Sequence, residues 1–140
     1  MLDSRPEAIA VKAIIVNDAG RLLMLKRRPN DVHHPGQWDL PGGRLSPQED
    51  PYAGCRREVH EEAGLDGEPT QVLDVHFFTR DDGQAITMLI FLFAAQSADV
   101  RLSEEHTEYR WVTPEEAAVL QARWVPRVLE RYERWARGGT

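Results

Sequence analysis

Three glutamates within the stretch REVHEEAGL, residues 57–65, are the first candidates for a reactive or metal-binding site. Glu58, Glu61 and Glu62 are three and four positions apart, so on an α-helix they spread over only about 100° of the circumference. Like charges at this spacing destabilise a helix unless something neutralises them. Clustered carboxylate oxygens suit Mg²⁺ or Mn²⁺, ions that commonly hold a substrate phosphate as well. The cluster indicates a divalent-metal site, and a solvated acidic helix face is the alternative.

The residues around the three glutamates extend the pattern in both directions. Gly43 is followed after five residues by Glu49, and seven residues separate Glu49 from Arg57. Gly64 and Leu65 follow the glutamates. The stretch resembles the signature of the Nudix hydrolase family, GX5EX7REUXEEXGU with U aliphatic, at every specified position. The resemblance implies Mg²⁺- or Mn²⁺-dependent hydrolysis of a pyrophosphate linkage in a nucleoside diphosphate joined to a group X.

The resemblance also implies roles for the residues of the signature. Glu58, Glu61 and Glu62 are implied as the metal ligands, with the backbone carbonyl of Gly42 as a further ligand. Gly42 and Gly43 would let the loop approach the metal and substrate closely, where a Cβ would obstruct them.

Arg57 and Glu49 look like the family's structural pair, in which the guanidinium orients the loop and the helix. The alternative is an ordinary surface ion pair, which stabilises little by itself. Because the full signature is present, the orienting role is the interpretation adopted for these two catalytic-site residues.

An acidic loop before a predicted strand supplies another candidate, Glu105. It lies six residues before Trp111, the spacing of a glutamate in MutT-type members of the family. The resemblance assigns it as a further metal ligand or as the general base. Glu104 and Glu108 are close rivals, and Glu58 remains a second candidate for the base.

Three residues upstream of the signature are candidate substrate contacts. The spacing from Arg28 to Gly43 matches that of a substrate-contacting arginine in the MutT type, and Arg27 ends the same predicted strand. Either arginine could hold a phosphate or remain a solvated strand end. Trp38, just before the PGG turn, could stack on a base or pack beneath the loop.

Hydrophobic periodicity and the positions of turn- and cap-forming residues predict the strands and helices that carry these candidates. Strands are predicted over 9–16 and 22–25, a hairpin over 70–78 and 85–95, and a short strand at TEYRWV. Asp50, Pro51 and Gly64 delimit the helix that carries the glutamates. Thr113 and Glu116 have capping-box spacing at the start of a second helix, and an amphipathic helix ends the chain. The order predicts an α+β fold, an α/β/α sandwich with a mixed central β-sheet like that of the Nudix family.

Composition limits the classes of function. The 140 residues fit a single domain, 1–140, with 41% hydrophobic and 29% charged residues. A net charge of −6 argues against binding a nucleic-acid polymer, and the expected partner is a small nucleotide. No apolar run is long enough for a membrane span or a signal core, so a cytoplasmic protein is expected. Dimers are frequent in the family, which leaves a homodimer open.

The substrate is not fixed by the signature. Asp81 stands where ADP-ribose hydrolases tend to have a proline, and Tyr109 lies too far downstream for the tyrosine of dinucleoside polyphosphate hydrolases. Asn17 and Asn30 are too early to serve as the late asparagine that reads 8-oxo-dGTP. The short chain favours a (deoxy)nucleoside triphosphate, with ADP-ribose, nucleotide sugars and dinucleoside polyphosphates as alternatives.

Two rivals come from other classes of protein. A non-catalytic nucleotide-sensing Nudix domain usually loses signature glutamates, and this chain keeps them all. Isopentenyl diphosphate isomerase uses a cysteine upstream of the signature, whereas Cys55, the single cysteine, lies inside the signature helix.

Overall fold

The computed structural model describes residues 7–138. The strands form two sheets, and helices lie on both faces of the sheets. The predicted domain, 1–140, extends past this part, since residues 1–6 and 139–140 lie outside it. The elements in chain order are β1 (Ala8–Ile15), β2 (Leu22–Arg27), β3 (Trp38–Asp39), β4 (Gly42–Arg44), α1 (Pro51–Ala63), β5 (Gly67–Thr79), β6 (Ala85–Ala95), β7 (His106–Val112), α2 (Pro114–Leu120) and α3 (Val125–Ala136).

The larger sheet has the strand order β4-β1-β6-β5 and is mixed, as predicted. β1 runs parallel to β6, whereas β4 and β5 are antiparallel to their neighbours. The predicted hairpin of β5 and β6 is confirmed. A second, antiparallel sheet has the order β3-β2-β7, and an isolated bridge between Val16 and Leu22 joins the two sheets. The α/β/α sandwich is therefore built on two sheets rather than one.

The helices cover opposite faces of this sheet layer. Alternate residues along a strand point to opposite faces, so β1 directs Val11 and Ile15 to one core and Ile14 to the other. The first core includes Val59 of α1, and the second includes Val128 of α3. The carboxylate-bearing helix and the C-terminal helices consequently lie on different sides of the strands.

Local chemistry sets the ends of α1. The carboxylate of Asp50 accepts a hydrogen bond from the Ala53 amide at 3.0 Å, and Pro51 occupies the first turn. Gly64 ends the helix in the left-handed region, at φ 68°, and its amide donates to the His60 carbonyl. The predicted helix boundaries are thus confirmed, and so is the capping box between Thr113 and Glu116 at the start of α2.

A buried carboxylate fastens α3 to the edge strand β5. Asp74 has a side chain only 5% exposed, and its Oδ1 lies 2.8 Å from Arg127 Nη2 and 3.1 Å from Arg131 Nε. The two arginines therefore hold α3 against the strand. Among residues 7–138, none of the helices combines the length and the apolar composition that crossing a bilayer requires.

Candidate active site

The helix α1 presents its glutamates to the turn that contains β4. Glu58 and Glu62 are buried, with 9% and 5% exposure, whereas Glu61 is exposed. Glu62 Oε1 accepts a hydrogen bond from the amide of Gly42 at 2.7 Å. Val59 points into the core from a neighbouring face of the helix. The hydrophobic face of α1 thus fixes the direction in which the carboxylates project.

The two glycines of the turn are required by close packing. Gly42 has φ 143°, and a Cβ there would lie 2.0 Å from the carbonyl oxygen of Val11 on β1. At Gly43 a Cβ would lie 2.5 Å from Glu58 Oε2. Gly42 therefore permits the turn to pack on β1, and Gly43 leaves the space that the Glu58 carboxylate occupies.

Burial and repulsion from neighbouring carboxylates act on the two buried carboxylates. Burial raises the pKa of Glu62 to about 8, with Glu58 and Glu105 adding repulsion and Lys12 opposing it. Burial likewise raises the pKa of Glu58, against the attraction of Arg57. A cation bound beside Glu58 and Glu62 would favour the ionised form of both carboxyl groups.

Arg57 contacts three carboxylates. Its Nε and Nη2 each lie 2.8 Å from an oxygen of Glu49, which is a bidentate pair. Its Nη1 lies 2.9 Å from Glu58 Oε1 and 3.1 Å from Glu61 Oε2. Glu49 also accepts from the Ser46 amide at 3.0 Å, so the pair connects the loop before α1 to the glutamates.

Glu105 reaches the same cleft from the loop before β7. It is exposed and lines the cleft, and its charge acts on both Glu58 and Glu62. Its rival Glu108 is paired with Arg110 at 3.2 Å. Glu58, Glu61, Glu62 and Glu105 are called the carboxylate cluster below.

The carboxylate cluster has the donor chemistry that a hard divalent cation requires, because it offers carboxylate oxygens beside the Gly42 turn. Within residues 7–138, no three acidic, histidine or cysteine side chains lie close enough together to hold a metal as they stand. Glu61 is held by Arg57, and both Glu61 and Glu105 are exposed.

The three candidate substrate contacts upstream of the signature lie in different surroundings. Arg27 and Trp38 line the cleft, whereas Arg28 is not among its lining residues. The Arg28 amide instead donates to the Glu105 carbonyl at 3.0 Å, which ties the end of β2 to the acidic loop. Trp38 carries the guanidinium of Arg110 over its ring at 5.0 Å, so it both packs and faces the cleft.

A buried lysine in the cleft was not found from the sequence. Lys12, only 6% exposed, lies 3.1 Å from Asp39 Oδ2, and its Nζ donates to the Leu40 carbonyl at 3.3 Å. It thereby holds the strand that leads into the Gly42 turn. The sequence signal for it was a lysine within an apolar run. Its neighbours come from β3 and the turn, and the residues around Lys12 in the sequence do not indicate them.

The cleft continues past the carboxylate cluster as one cavity of about 1140 Å³. At its far end stand His76 and Phe78 of β5 and Trp124, which precedes α3. The His76 ring lies 5.4 Å from that of Phe78 and 6.5 Å from that of Trp124, at interplanar angles of 29° and 26°. These three residues, called the aromatic end of the cleft below, were also missed from the sequence.

Cys55 does not take part in this site. It is 1% exposed in the core under α1, and burial raises the pKa of its thiol to about 12. A buried, protonated thiol packs as a small apolar group.

Comparison with known proteins identifies the relatives of this chain. The profile described as NUDIX domain matches residues 6–134. A MutT-like protein of Streptomyces ambofaciens is 33% identical over 79% of this chain and 67% of its own length. The nucleoside triphosphatase NudI of Escherichia coli O81 is 35% identical over 74% of this chain and 79% of its own length. The crystal structure of a MutT protein from Methanosarcina mazei Go1 has a TM-score of 0.84 at 32% identity, covering 95% of this chain and 98% of that one.

Proposed function

Because this chain belongs to the Nudix family and is a pyrophosphohydrolase, we propose that it hydrolyses a (deoxy)nucleoside triphosphate with Mg²⁺ or Mn²⁺. The observation that carries the proposal is a single cavity lined by the carboxylate cluster and continuing far beyond it. Such a cavity suits a substrate with a polyphosphate at one end and a larger group at the other. The similarity to a nucleoside triphosphatase supports the same substrate class.

Glu58, Glu61, Glu62, Glu105 and the Gly42 carbonyl would hold the cation in this proposal. When bound, such a cation neutralises phosphate charge and lowers the pKa of a coordinated water. The buried pair, Glu58 and Glu62, is fixed by packing and by the Gly42 amide. Of the exposed pair, Glu61 is held by Arg57, whereas Glu105 comes from the loop before β7.

The remaining polar residues orient these groups. Arg57 keeps Glu58 and Glu61 in place while Glu49 holds Arg57 from the other side. As the alternative to holding the cation, Glu105 accepts the proton of the attacking water, and Glu58 is the second candidate for this role. Arg27, whose buried Nε has no hydrogen-bond partner among the described residues, is proposed to contact a phosphate oxygen.

The test is a product-resolved hydrolysis screen with Mg²⁺ and with Mn²⁺. It covers nucleoside triphosphates, ADP-ribose, nucleotide sugars and dinucleoside polyphosphates. The proposal predicts preferred cleavage of a triphosphate and a loss of at least about 100-fold in Glu58→Gln and in Glu62→Gln. Glu115→Gln, an exposed glutamate of α2 outside the cleft, is the matched control and should keep full activity.

Other outcomes of the screen would reject parts of the proposal. A preference for one of the other three substrate classes would reject the triphosphate while keeping the site. Full activity in both glutamine variants would reject the carboxylate cluster. Nucleotide binding with no turnover on any substrate would favour the non-catalytic sensor.

A further inference from the structure

Lys12 connects the two sheets on which the candidate active site is built. It lies on β1 of the larger sheet, directly beside Gly42 of the turn that faces the carboxylate cluster. Its Nζ lies 3.1 Å from Oδ2 of Asp39, a residue of β3 in the second sheet. The same oxygen lies 3.8 Å from Nη2 of Arg27 on β2, the residue proposed above to contact a phosphate oxygen. These contacts link the Gly42 turn to Arg27.

The Asp39 carboxylate is shared unequally between the two cations. Asp39 is 8% exposed, and its Oδ1 accepts a hydrogen bond from the Leu40 amide at 2.8 Å. Oδ2 therefore faces both cations. Its 3.1 Å contact with Lys12 has the length of a hydrogen bond, whereas the 3.8 Å contact with Arg27 is too long for one. Lys12 thus engages the oxygen that Arg27 would otherwise bind.

Arg27 keeps hydrogen-bond donors that the described residues do not satisfy. Its Nη1 lies 3.5 Å from Asp31 Oδ1, at the long limit of a hydrogen bond. Its Nε is buried and has no hydrogen-bond partner among residues 7–138. Asp31 itself is fixed, because its Oδ2 accepts from the amides of His33 and His34 at 3.2 and 2.9 Å. The guanidinium is therefore held loosely at the wall of the cleft, with donors left for an anionic ligand.

The ammonium of Lys12 determines which cation Asp39 pairs with. Removing one partner of a buried ion pair is strongly destabilising, so Asp39 would need a new partner if the ammonium were lost. His34 is not a rival cation, because burial lowers the pKa of its imidazole and the charge of Arg27 adds to this effect. Without Lys12, Arg27 would close the 3.8 Å gap to Asp39, and its charge would be neutralised there.

We propose that Lys12 is a positioning residue, which holds the Asp39 carboxylate and so keeps the Arg27 guanidinium available to a phosphate group of the substrate. This inference rests on the proposed function, in which Arg27 contacts a phosphate oxygen. Lys12 touches Asp39 and the Leu40 carbonyl in this role, and it acts on phosphate affinity through Arg27.

The test measures binding of imidodiphosphate, a pyrophosphate analogue that resists hydrolysis, by titration calorimetry with Mg²⁺ in excess. Lys12→Met removes the ammonium at similar side-chain length and should weaken binding about ten-fold, the size of one lost charge-assisted hydrogen bond. The double variant Lys12→Met, Asp39→Asn should bind within about three-fold of the wild type, because a neutral amide no longer captures Arg27. This double variant removes both buried charges, which keeps the test open even where Lys12→Met alone fails to fold.

A second comparison asks whether Lys12 acts through Arg27. In an Arg27→Met background, Lys12→Met should cause little further loss of affinity, since residues that act through one another are not additive. Lys26→Met is the matched control, because Lys26 is the other lysine of the chain, lies on β2 and is not among the residues that line the cleft. It should bind the analogue as the wild type does. Thermal unfolding checks that each variant is folded.

Several results would overturn the inference. Undetectable binding by the wild type or an unchanged affinity in Lys12→Met would each do so. A double variant as weak as Lys12→Met would reject it as well, and would mean that Lys12 contacts the phosphate itself or only supports the turn. An equal loss from Lys12→Met with and without the Arg27 side chain would show that Lys12 does not act through Arg27. Failure of the proposed function is distinguishable, because a protein that hydrolyses no triphosphate could still bind the analogue with this pattern of variants.

Discussion

At the scale of single residues, the Glu58 carboxylate occupies the space that a side chain at Gly43 would need. A Cβ at this position would lie 2.5 Å from Glu58 Oε2, closer than real Cβ atoms approach another atom. In Gly43→Ala the Glu58 side chain must therefore rotate or the turn must move. Because a displacement of about 1 Å in a catalytic group can cost roughly 100-fold in rate, we expect steady-state hydrolysis to fall by about that factor while the protein remains folded.

Gly20→Ala is the control for this substitution. Gly20 lies in the turn before β2, with nothing within 4 Å of a Cβ built there and a φ of 74° that strains a larger residue. Its cost should therefore appear in stability and not in activity. Equal activity of Gly43→Ala and the wild type would contradict the placement of Glu58 against the turn.

At the scale of elements, the Glu49–Arg57 pair links the loop before α1 to the helix. The hydrogen bonds from Arg57 and from the Ser46 amide lower the pKa of Glu49 from 4.5 to about 2. Because the folded-state pKa lies below the unfolded one, the stabilisation is present above about pH 4.5 and is lost as the pH falls through about 2. The difference in unfolding free energy between wild type and Glu49→Gln should therefore shrink over this window.

Urea unfolding at several pH values between 5 and 2 measures this difference. The same comparison in an Arg57→Met background is the control, since Glu49 then lacks its main partner and the pH dependence of the difference should be much smaller. A difference that stays constant across the window in the wild-type background would mean that the pair does not couple loop and helix.

The secondary-structure elements also show which parts of the site could be predicted from the sequence. The boundaries of α1 and the direction of its glutamates follow from Asp50, Gly64 and Val59, which act within a few residues of each other. The parallel pairing that puts Ala10 beside Met88 joins distant parts of the chain. The aromatic end of the cleft depends on that pairing, and the surroundings of Lys12 depend on its contacts with Asp39 and Leu40. Local patterns encode neither, and so both were seen only in the structure.

At the scale of the whole molecule, the carboxylate cluster links cation binding to stability. Two of its members are buried, and repulsion from other carboxylates of the cluster adds to burial in raising the pKa of each, so ionising them in the folded protein without metal is unfavourable. A cation that binds only the folded state stabilises it by about 2.7 kcal/mol at 100 times its dissociation constant. For a chain of this length, that corresponds to a rise of roughly 5–10 °C in the melting temperature.

We therefore expect Mg²⁺ or Mn²⁺ to raise the melting temperature of the wild type and of Glu115→Gln, and to have little effect on the double variant Glu58→Gln, Glu62→Gln. Differential scanning calorimetry at matched ionic strength, with NaCl replacing the divalent salt, separates this effect from general screening. In the metal-free protein, the double variant should be at least as stable as the wild type, because two crowded carboxyls become neutral amides. An equal rise in the melting temperature of the double variant would mean that the cation binds outside the carboxylate cluster. Another group would then have to neutralise the charge of the cluster.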